Sequence, residues 1–597
     1  MTTVPDNTQA ATIDRWIDAA LQHHQAGRLP DAEALYRQAL VEQPDHPDAL
    51  HLLGFVAYQC GRHQQALELI STALRRSPDA PDFHNHLGLV LAALGRPADA
   101  IASYGNALRL APEFPEAHNN LGIRLREDGR LTEAEAHYRA AVAARPVFSD
   151  AWNNLGNVCR ERGEFDAALA AYREALRQRP DFAEAHSNIL FTLSHYLLAD
   201  PDQLLQEHQG WDRVHGVAGR AHAHAHPRRG DPEKRLRIGY VSPDFRLHAA
   251  NSFFESLIAA HTRDAVEIFC YAEVSRPDAV TERIRVNADV WRSTVGLSDD
   301  ALGRQIRDDG IDILVDLAGH TTGNRLRVFT GKPAPIQVSY LGYCATTGLT
   351  AMDYWITDGV IHPPDTIERT VEAIIRLPRC WVTYRPPVDA PPVRLPARSG
   401  ITFGCFNERS KITPATIALW SSILLELPDA RLVLKARQYA DDSVRQAIID
   451  TFTQHGVAAN RLVFLPATGY LDYLAAYQDV DIALDPVPRA GGVTTADALW
   501  MGVPVITLCG QRFIERHGAS LLRAAGMDEW IAVTPRDYVD KALALARDHV
   551  HRRTMRLAQR DRMAASPLCD ALAHARAMEQ IYRDMWRAYV RNTPLTS

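Results

Sequence analysis

The chain has 597 residues, 46% of them apolar and 23% charged, which excludes wholesale disorder and, at this length, a single hydrophobic core. Lys and Arg total 65 against 72 Asp and Glu, a net charge of −7, so there is no broad basic field for nucleic acid or anionic membrane. The eight scattered cysteines form no C-x-x-C pair, which argues against a disulfide framework or cysteine zinc site and fits a reducing compartment.

The N-terminal run MTTVPDNTQAATIDRW lacks the basic start and apolar core of a signal peptide, and no stretch approaches the roughly 18 apolar residues of a membrane span. A cytoplasmic, membrane-free protein is expected. A 34-residue period follows. Glycines stand at 27, 61, 95, 129 and 163, alanines at 32, 66, 100, 134 and 168, and prolines at 44, 78, 112, 146 and 180. A second glycine series runs 54, 88, 122, 156, and Tyr36, Ile70, Tyr104, Tyr138 and Tyr172 keep the same step. This is the tetratricopeptide (TPR) pattern. Small Ala lets paired helices approach, the bulky residue fills the space between pairs, Gly supplies a left-handed joint and Pro ends the second helix. Residues 12–195 are expected to form an α-solenoid with a concave groove, about five repeats plus a capping helix.

Asn120, Asn154 and Asn188 share the step, with Asn119 and Asn153 beside them. A carboxamide column on successive first helices would hold an extended peptide whatever its sequence; alternatively, these groups bond within the solenoid. Residues 196–234 read as a linker. Its His222, His224 and His226 alternate without an accompanying Cys or carboxylate, which favours solvated chain over a metal site.

From Arg235 short apolar runs alternate with helical stretches. LRIGYVS (236–242), EIFCYA (267–272), DILVDLAG (312–319) and IQVSYLG (336–342) read as buried parallel strands of a first domain, 235–383. The Pro-rich passage 384–400 reads as an interdomain connection. ITFGCF (401–406), RLVLKA (431–436), RLVFLP (461–466), DIALDP (481–486) and PVITLCG (504–510) build a second domain, 401–592. Two doubly wound, Rossmann-like sheets place chemistry in the loops after strands, around a cleft. The last helical stretch, about 571–591 with Tyr582, Trp586 and Tyr589, reads as packing.

Four loops carry the candidates. In LDPVPRAGGVTTADALWMGVP (484–504), Gly491 and Gly492 let backbone approach an anion. Thr494 and Thr495 offer hydroxyl and N–H groups at a helix start, a pocket for a diphosphate, and Asp497 one turn on is placed for a ribose hydroxyl. An ordinary strand–turn–helix joint is the alternative. In GCFNERSKITP (404–414), Lys411 is placed to neutralise a leaving phosphate and Asn407 to bond an oxygen, against a solvated surface lysine. His248 and His320 each follow a first-domain strand, where an imidazole orients or deprotonates an acceptor hydroxyl or is simply a satisfied core group. Thr346 and Thr347 sit in a Gly/Thr loop aimed at the cleft. No D-x-D stands in a strand-end loop and no P-loop motif occurs, so no metal ligands are apparent.

The TPR array, followed by RIGYVSPDF, LAGHT, PAPIQVSYLGYCATTG, MDYWITD, CFNERSKITP and GGVTTADALWMGVP, resembles the O-GlcNAc transferase family, including its SPINDLY branch. The resemblance implies a GT-B glycosyltransferase fold with inverting, metal-independent transfer from a nucleotide sugar, UDP-GlcNAc first, to Ser or Thr of proteins held in the TPR groove. It implies no further cofactor and leaves a homodimer open. By position, Lys411 matches the family lysine at the diphosphate, His248 a histidine at the active-site mouth, Thr494 the helix-start threonine and Asp497 the acid on the ribose; the Asn column matches the family ladder. The chain departs from the animal enzymes at Gly492 (His there), Glu408 (Gln) and Tyr473 (a base-stacking His), where Tyr still offers a ring to a base. The animal enzymes' inserted domain is replaced by the Pro-rich passage. TTGLTAMDYWITDGVIHPPDT with IIRLP is closer to the SPINDLY branch, which implies GDP-fucose as an alternative donor, although Asp497 is Glu there. The resemblance also leaves open N-glucosyl transfer to asparagine and an inactive TPR scaffold.

Overall fold

The computed structural model describes residues 7–197, 199–227, 230–397 and 400–592. The start of the run read for a signal peptide, parts of the linker (198, 228, 229) and parts of the interdomain connection (398, 399) lie outside the described residues. Among those residues no helix is long and apolar enough to cross a membrane. The chain divides into two compact units, Met1–Val158 and Cys159–Ser597.

Met1–Val158 is a series of helix pairs: Asn7–Gln25 with Leu29–Glu42, Pro47–Gln59 with His63–Arg76, Pro81–Ala93 with Pro97–Leu110, and Pro115–Glu127 with Leu131–Ala144. The joint glycines are left-handed as expected, with φ of +72° at Gly27 and +74° at Gly61. Each proline acts through the residue before it. The second helices end at Glu42, Arg76, Leu110 and Ala144, and Gln43, Ser77, Ala111 and Arg145 turn to ψ of 88°, 77°, 88° and 93°, because a following proline disfavours the helical region. The second glycine series also has its reason. A Cβ on Gly122 would stand 2.8 Å from the Tyr138 ring, and one on Gly54 2.7 Å from Ile70. The bare first helix admits the bulky residue of the second, and Ile70 and Tyr138 are fully buried.

The second unit contains two parallel sheets. The first comprises β1 (Leu236–Ser242), β2 (Val266–Ala272), β3 (Val290–Ser293), β4 (Ile313–Asp316), β5 (Ile336–Ser339), β6 (Tyr354–Asp358) and β7 (Ala373–Leu377), in the order β3-β2-β1-β4-β5-β6-β7. The second comprises β8 (Thr402–Cys405), β9 (Arg431–Lys435), β10 (Leu462–Leu465), β11 (Ile482–Leu484), β12 (Val505–Leu508) and β13 (Ile531–Ala532), in the order β10-β9-β8-β11-β12-β13. Both reverse direction beside their first strand, at β1/β4 and β8/β11, the switch points where open α/β sheets bind ligands. All nine strands read from sequence are present. β3, β6, β7 and β13 were not read: β3, β7 and β13 are edge strands, β13 only two residues long, and β6 lies inside the first sheet beside β7.

Three boundaries differ from expectation. The solenoid read as 12–195 does not stay one body, because helix Ala183–Thr192 joins the second unit: its Leu190 lies in the core with Trp211, Val241, Phe269 and Leu314. The linker read as 196–234 is largely helical. Asp200 caps helix Pro201–His215 by accepting from Asp202 N (3.0 Å) and Gln203 N (3.2 Å), and Trp211 is fully buried; Asp-Pro before an apolar periodicity was the missed signal. In its tail, His222 donates to the Ala218 carbonyl and His226 to that of Lys332. Finally, the domain read as 401–592 ends on the other sheet. In helix Ala571–Arg591, Tyr582 meets Tyr240 (3.1 Å), His574 meets Tyr340 (3.2 Å) and Glu579 binds His261 (3.0 Å). The packing role expected of its aromatics holds, with Tyr582 against the first domain and Trp586 and Tyr589 bonding the Asp231 and His226 carbonyls of the segment before it.

Candidate active site

Between the two sheets lies a cavity of about 540 Å³. Its walls are the loops after strands: Asp244–Ala250 after β1, His320–Thr322 after β4, Leu341–Cys344 after β5, Asn407–Lys411 after β8 and Arg489–Thr494 after β11. Arg160, Arg246, Lys411 and Arg489 face Asp244 and Glu408 there, four cations against two carboxylates, an excess that suits a dianion.

The residues expected to form an anion pocket converge on Asn407. Its Oδ1 accepts from Lys411 Nζ at 2.9 Å and from Thr494 Oγ1 at 3.0 Å. Thr494 is the second residue of helix Val493–Trp500, whose N-terminal dipole favours an anion. Burial, with Arg489 adding like-charge repulsion, lowers the Lys411 ammonium to about 8. Gly491 cannot be replaced without collision: a Cβ would overlap Thr495 Oγ1 and stand 2.6 Å from Asp485 Oδ1. Gly492 has room, with His517 3.5 Å from such a Cβ.

Of the other residues expected at the donor, three have structural partners. Thr495 Oγ1 donates to buried Asp485 at 3.0 Å and does not line the cavity. Asp497 is 1% exposed, and its Oδ1 accepts from Tyr384 (2.6 Å) and Tyr470 (3.1 Å). Burial raises its carboxyl to about 6. A ribose hydroxyl has to share or displace those phenols. Tyr473 bonds Tyr477 (3.2 Å) and stacks on Tyr470 with centroids 6.0 Å apart at 15°, an aromatic face beside Asp497.

The first-domain candidates separate in the same way. His248 lines the cavity. Its Nδ1 accepts from Ala250 N–H at 3.3 Å, which leaves the proton on Nε2, and Asp244 lies 3.6 Å from Nδ1. Burial lowers its pKa and Asp244 partly restores it. His320 reaches the wall but has both nitrogens engaged, Nδ1 with Ser187 Oγ (3.1 Å) and Nε2 with the Thr347 carbonyl (2.8 Å). It is a core histidine. Thr346 and Thr347 turn inward to Glu372 at 2.6 and 2.5 Å and leave the cavity wall. Both were aimed at the cleft only by loop position.

The carboxamide column also resolves. Within Met1–Val158, Asn120 donates to Asn85 (3.0 Å) and Asn154 to Asn119 (3.0 Å), each to the preceding repeat, and His86 meets His51 (2.6 Å) at the same step. These bonds knit repeats together. Asn188, in the second unit, is buried, accepts from Arg160 at 3.2 Å and lines the cavity.

Arg489 and His517, which line the cavity, and Tyr196, which holds Arg489, were not read from the sequence. Arg489 Nη1 donates to Tyr196 OH (2.5 Å) and to Glu408 (2.8 Å), and its guanidinium stacks over Phe191 and Tyr196. An arginine inside a Gly-containing strand-end loop was the available signal. Tyr196, in a π-helical turn at Leu193–Leu197, also bonds Ser410 at 3.0 Å. His517, on helix Phe513–Ala524, gave no signal in the sequence.

The chain matches Glycosyl transferase family 41 over residues 177–383 and 392–578 and tetratricopeptide repeat families over 23–88, 85–147 and 119–183. It is 37% identical over 404 residues to the probable UDP-N-acetylglucosamine--peptide N-acetylglucosaminyltransferase SPINDLY of Arabidopsis thaliana, covering 65% of this chain and 43% of that protein. It is 26% identical over 484 residues to the UDP-N-acetylglucosamine--peptide N-acetylglucosaminyltransferase of Caenorhabditis elegans, covering 61% of this chain and 42% of that protein. The chain thus spans less than half the length of these curated relatives. A mutant of the Thermobaculum terrenum O-GlcNAc transferase aligns with a TM-score of 0.80 at 36% identity, over 86% of this chain and 98% of that one, and the two sheets are the halves of a GT-B fold. A family pattern that spans both sheets, and a structural match that adds the preceding repeats, give one conclusion: the chain belongs to glycosyl transferase family 41.

Proposed function

We propose that the protein is an inverting protein O-glycosyltransferase that moves GlcNAc from UDP-GlcNAc to Ser or Thr of proteins held by the repeats. The observation that carries this reading is the convergence of Lys411, Asn407 and Thr494 at a helix start inside the cavity. The acceptor oxygen attacks the anomeric carbon from the face opposite the diphosphate. The bond from that carbon to the phosphate oxygen breaks, and the nucleoside diphosphate leaves with the electron pair. Lys411 and the N–H groups of helix Val493–Trp500 take up the charge without a metal. His248, with its proton on Nε2, aligns a substrate oxygen at the mouth, and the hydroxyl proton is released to solvent. The second reading is transfer of fucose from GDP-fucose, which the resemblance of TTGLTAMDYWITDGVIHPPDT and IIRLP to the SPINDLY branch implies.

Mass spectrometry of acceptor peptides incubated with UDP-GlcNAc, GDP-fucose and UDP-glucose separates the readings. A mass gain of one N-acetylhexosamine is expected. Transfer from GDP-fucose alone moves the protein to the second reading, and transfer from none of the three removes the enzymatic one.

A further inference from the structure

Four imidazoles line the cavity: His195, His248, His320 and His517. Three have nitrogen partners: His320 through both nitrogens, His195 Nδ1 through Ser194 Oγ at 2.8 Å and His248 Nδ1 through Ala250 N–H. His517 is different. Its Nε2 is buried and has no hydrogen-bond partner. The ring is packed against Trp381 (centroids 5.0 Å, 33°) and Phe513 (5.7 Å, 58°), so its orientation is fixed by apolar contact. Nδ1 and Cε1 lie 3.6 and 3.5 Å from where a Cβ on Gly492 would stand. The Nδ1 edge therefore looks over the glycine that opens helix Val493–Trp500.

A neutral imidazole carries one N–H. On Nε2 that hydrogen would be a buried donor without an acceptor, the costly arrangement; on Nδ1 it stands at the anion pocket, with Nε2 left as a bare lone pair. Burial, with Lys411 and Arg489 nearby, holds the ring neutral down to about 3, so it adds a directed donor and no further cation. Gly492 is part of the arrangement, since a larger side chain there would cover the Nδ1 edge.

We propose that His517 donates from Nδ1 to an oxygen of the sugar-bearing phosphate of the bound nucleotide sugar. The proposal rests on the donor site described under Proposed function. It makes His517 a contact for the second phosphate, where the nucleoside and first phosphate are held by other groups.

Titration calorimetry of the full chain with UDP, UMP, GDP and GMP tests it in three variants. His517→Phe keeps the ring and removes both nitrogens; its affinity for the diphosphate that binds the wild type is expected to fall about tenfold, with the matching monophosphate within about twofold. His517→Asn places an N–H near Nδ1 and is expected to keep diphosphate affinity within about threefold, whereas His517→Gln, whose N–H lies near Nε2, loses it. Wild-type diphosphate affinity in folded His517→Phe, or equal loss of both nucleotides, overturns the proposal. Should His517→Phe fail to fold, the Asn and Gln variants decide, and retention by Gln with loss by Asn overturns it. A wild type that binds neither UDP nor GDP overturns the donor-site reading and this proposal together; binding without transfer from any donor overturns only the enzymatic reading.

Discussion

Burial sets the chemistry of Lys411. Its ammonium is held by Asn407 and by the Ala490 carbonyl at 3.4 Å, and its pKa lies at about 8 instead of the ordinary 10.5. Below about pH 8 it is charged and available to a diphosphate; as pH rises through that value the charge is lost. Diphosphate affinity is therefore expected to fall between about pH 7.5 and 9.5, and Lys411→Arg, which stays protonated throughout, should give a weaker but flat profile. Titration calorimetry across that range checks this, and a flat wild-type profile refutes it. Stability of the ligand-free protein runs the other way. Between about 8 and 10.5 the unfolded chain binds the proton that folded Lys411 has lost, so stability rises with pH over that window.

At the scale of elements, two turns shape the cavity. Gly491 and Gly492 look equivalent in sequence and are not. Gly491→Ala drives its Cβ into Thr495 and Asp485, whereas Gly492→Ala meets His517 at ordinary contact distance. The first substitution is expected to lower the melting temperature by several degrees and abolish nucleotide binding, with the second melting near the wild type; equal melting of the two would refute the geometry. The π turn at Leu193–Leu197 works by dividing its side chains. Ser194 bonds Tyr343 of the first domain at 3.1 Å, His195 reaches the cavity, and Tyr196 holds Ser410, Glu408 and Arg489 of the second. The end of the last repeat helix thereby braces the loops after β8 and β11.

At the scale of the whole molecule, the two units are held by different means. In Met1–Val158 the carboxamide bonds from Asn120 to Asn85 and from Asn154 to Asn119 tie successive repeats. Replacing Asn120 and Asn154 together by Ala removes both and is expected to cost about 2 kcal/mol, seen as earlier unfolding of that unit by calorimetry or proteolysis. Unchanged unfolding would return these groups to peptide binding alone. In the second unit the closing element is helix Ala571–Arg591, which returns from the second sheet to lie on the first.

The sequence by itself determined what is local or periodic. The 34-residue step, the left-handed glycines, nine strands and the anion turn with Lys411, Asn407 and Thr494 all follow from side-chain period, backbone permission and strand-end position. Tertiary structure decided which groups at those positions remain available. Asp497, Thr495, Thr346, Thr347 and His320 have suitable chemistry in suitable loops, and each is engaged by a partner brought from another part of the chain: Tyr384, Asp485, Glu372 or Ser187. Conversely, Arg489 and His517 enter the cavity, and Tyr196 holds Arg489 there, through packing that no spacing encodes. A buried polar group must find a partner, and which one it finds is settled only when distant segments meet.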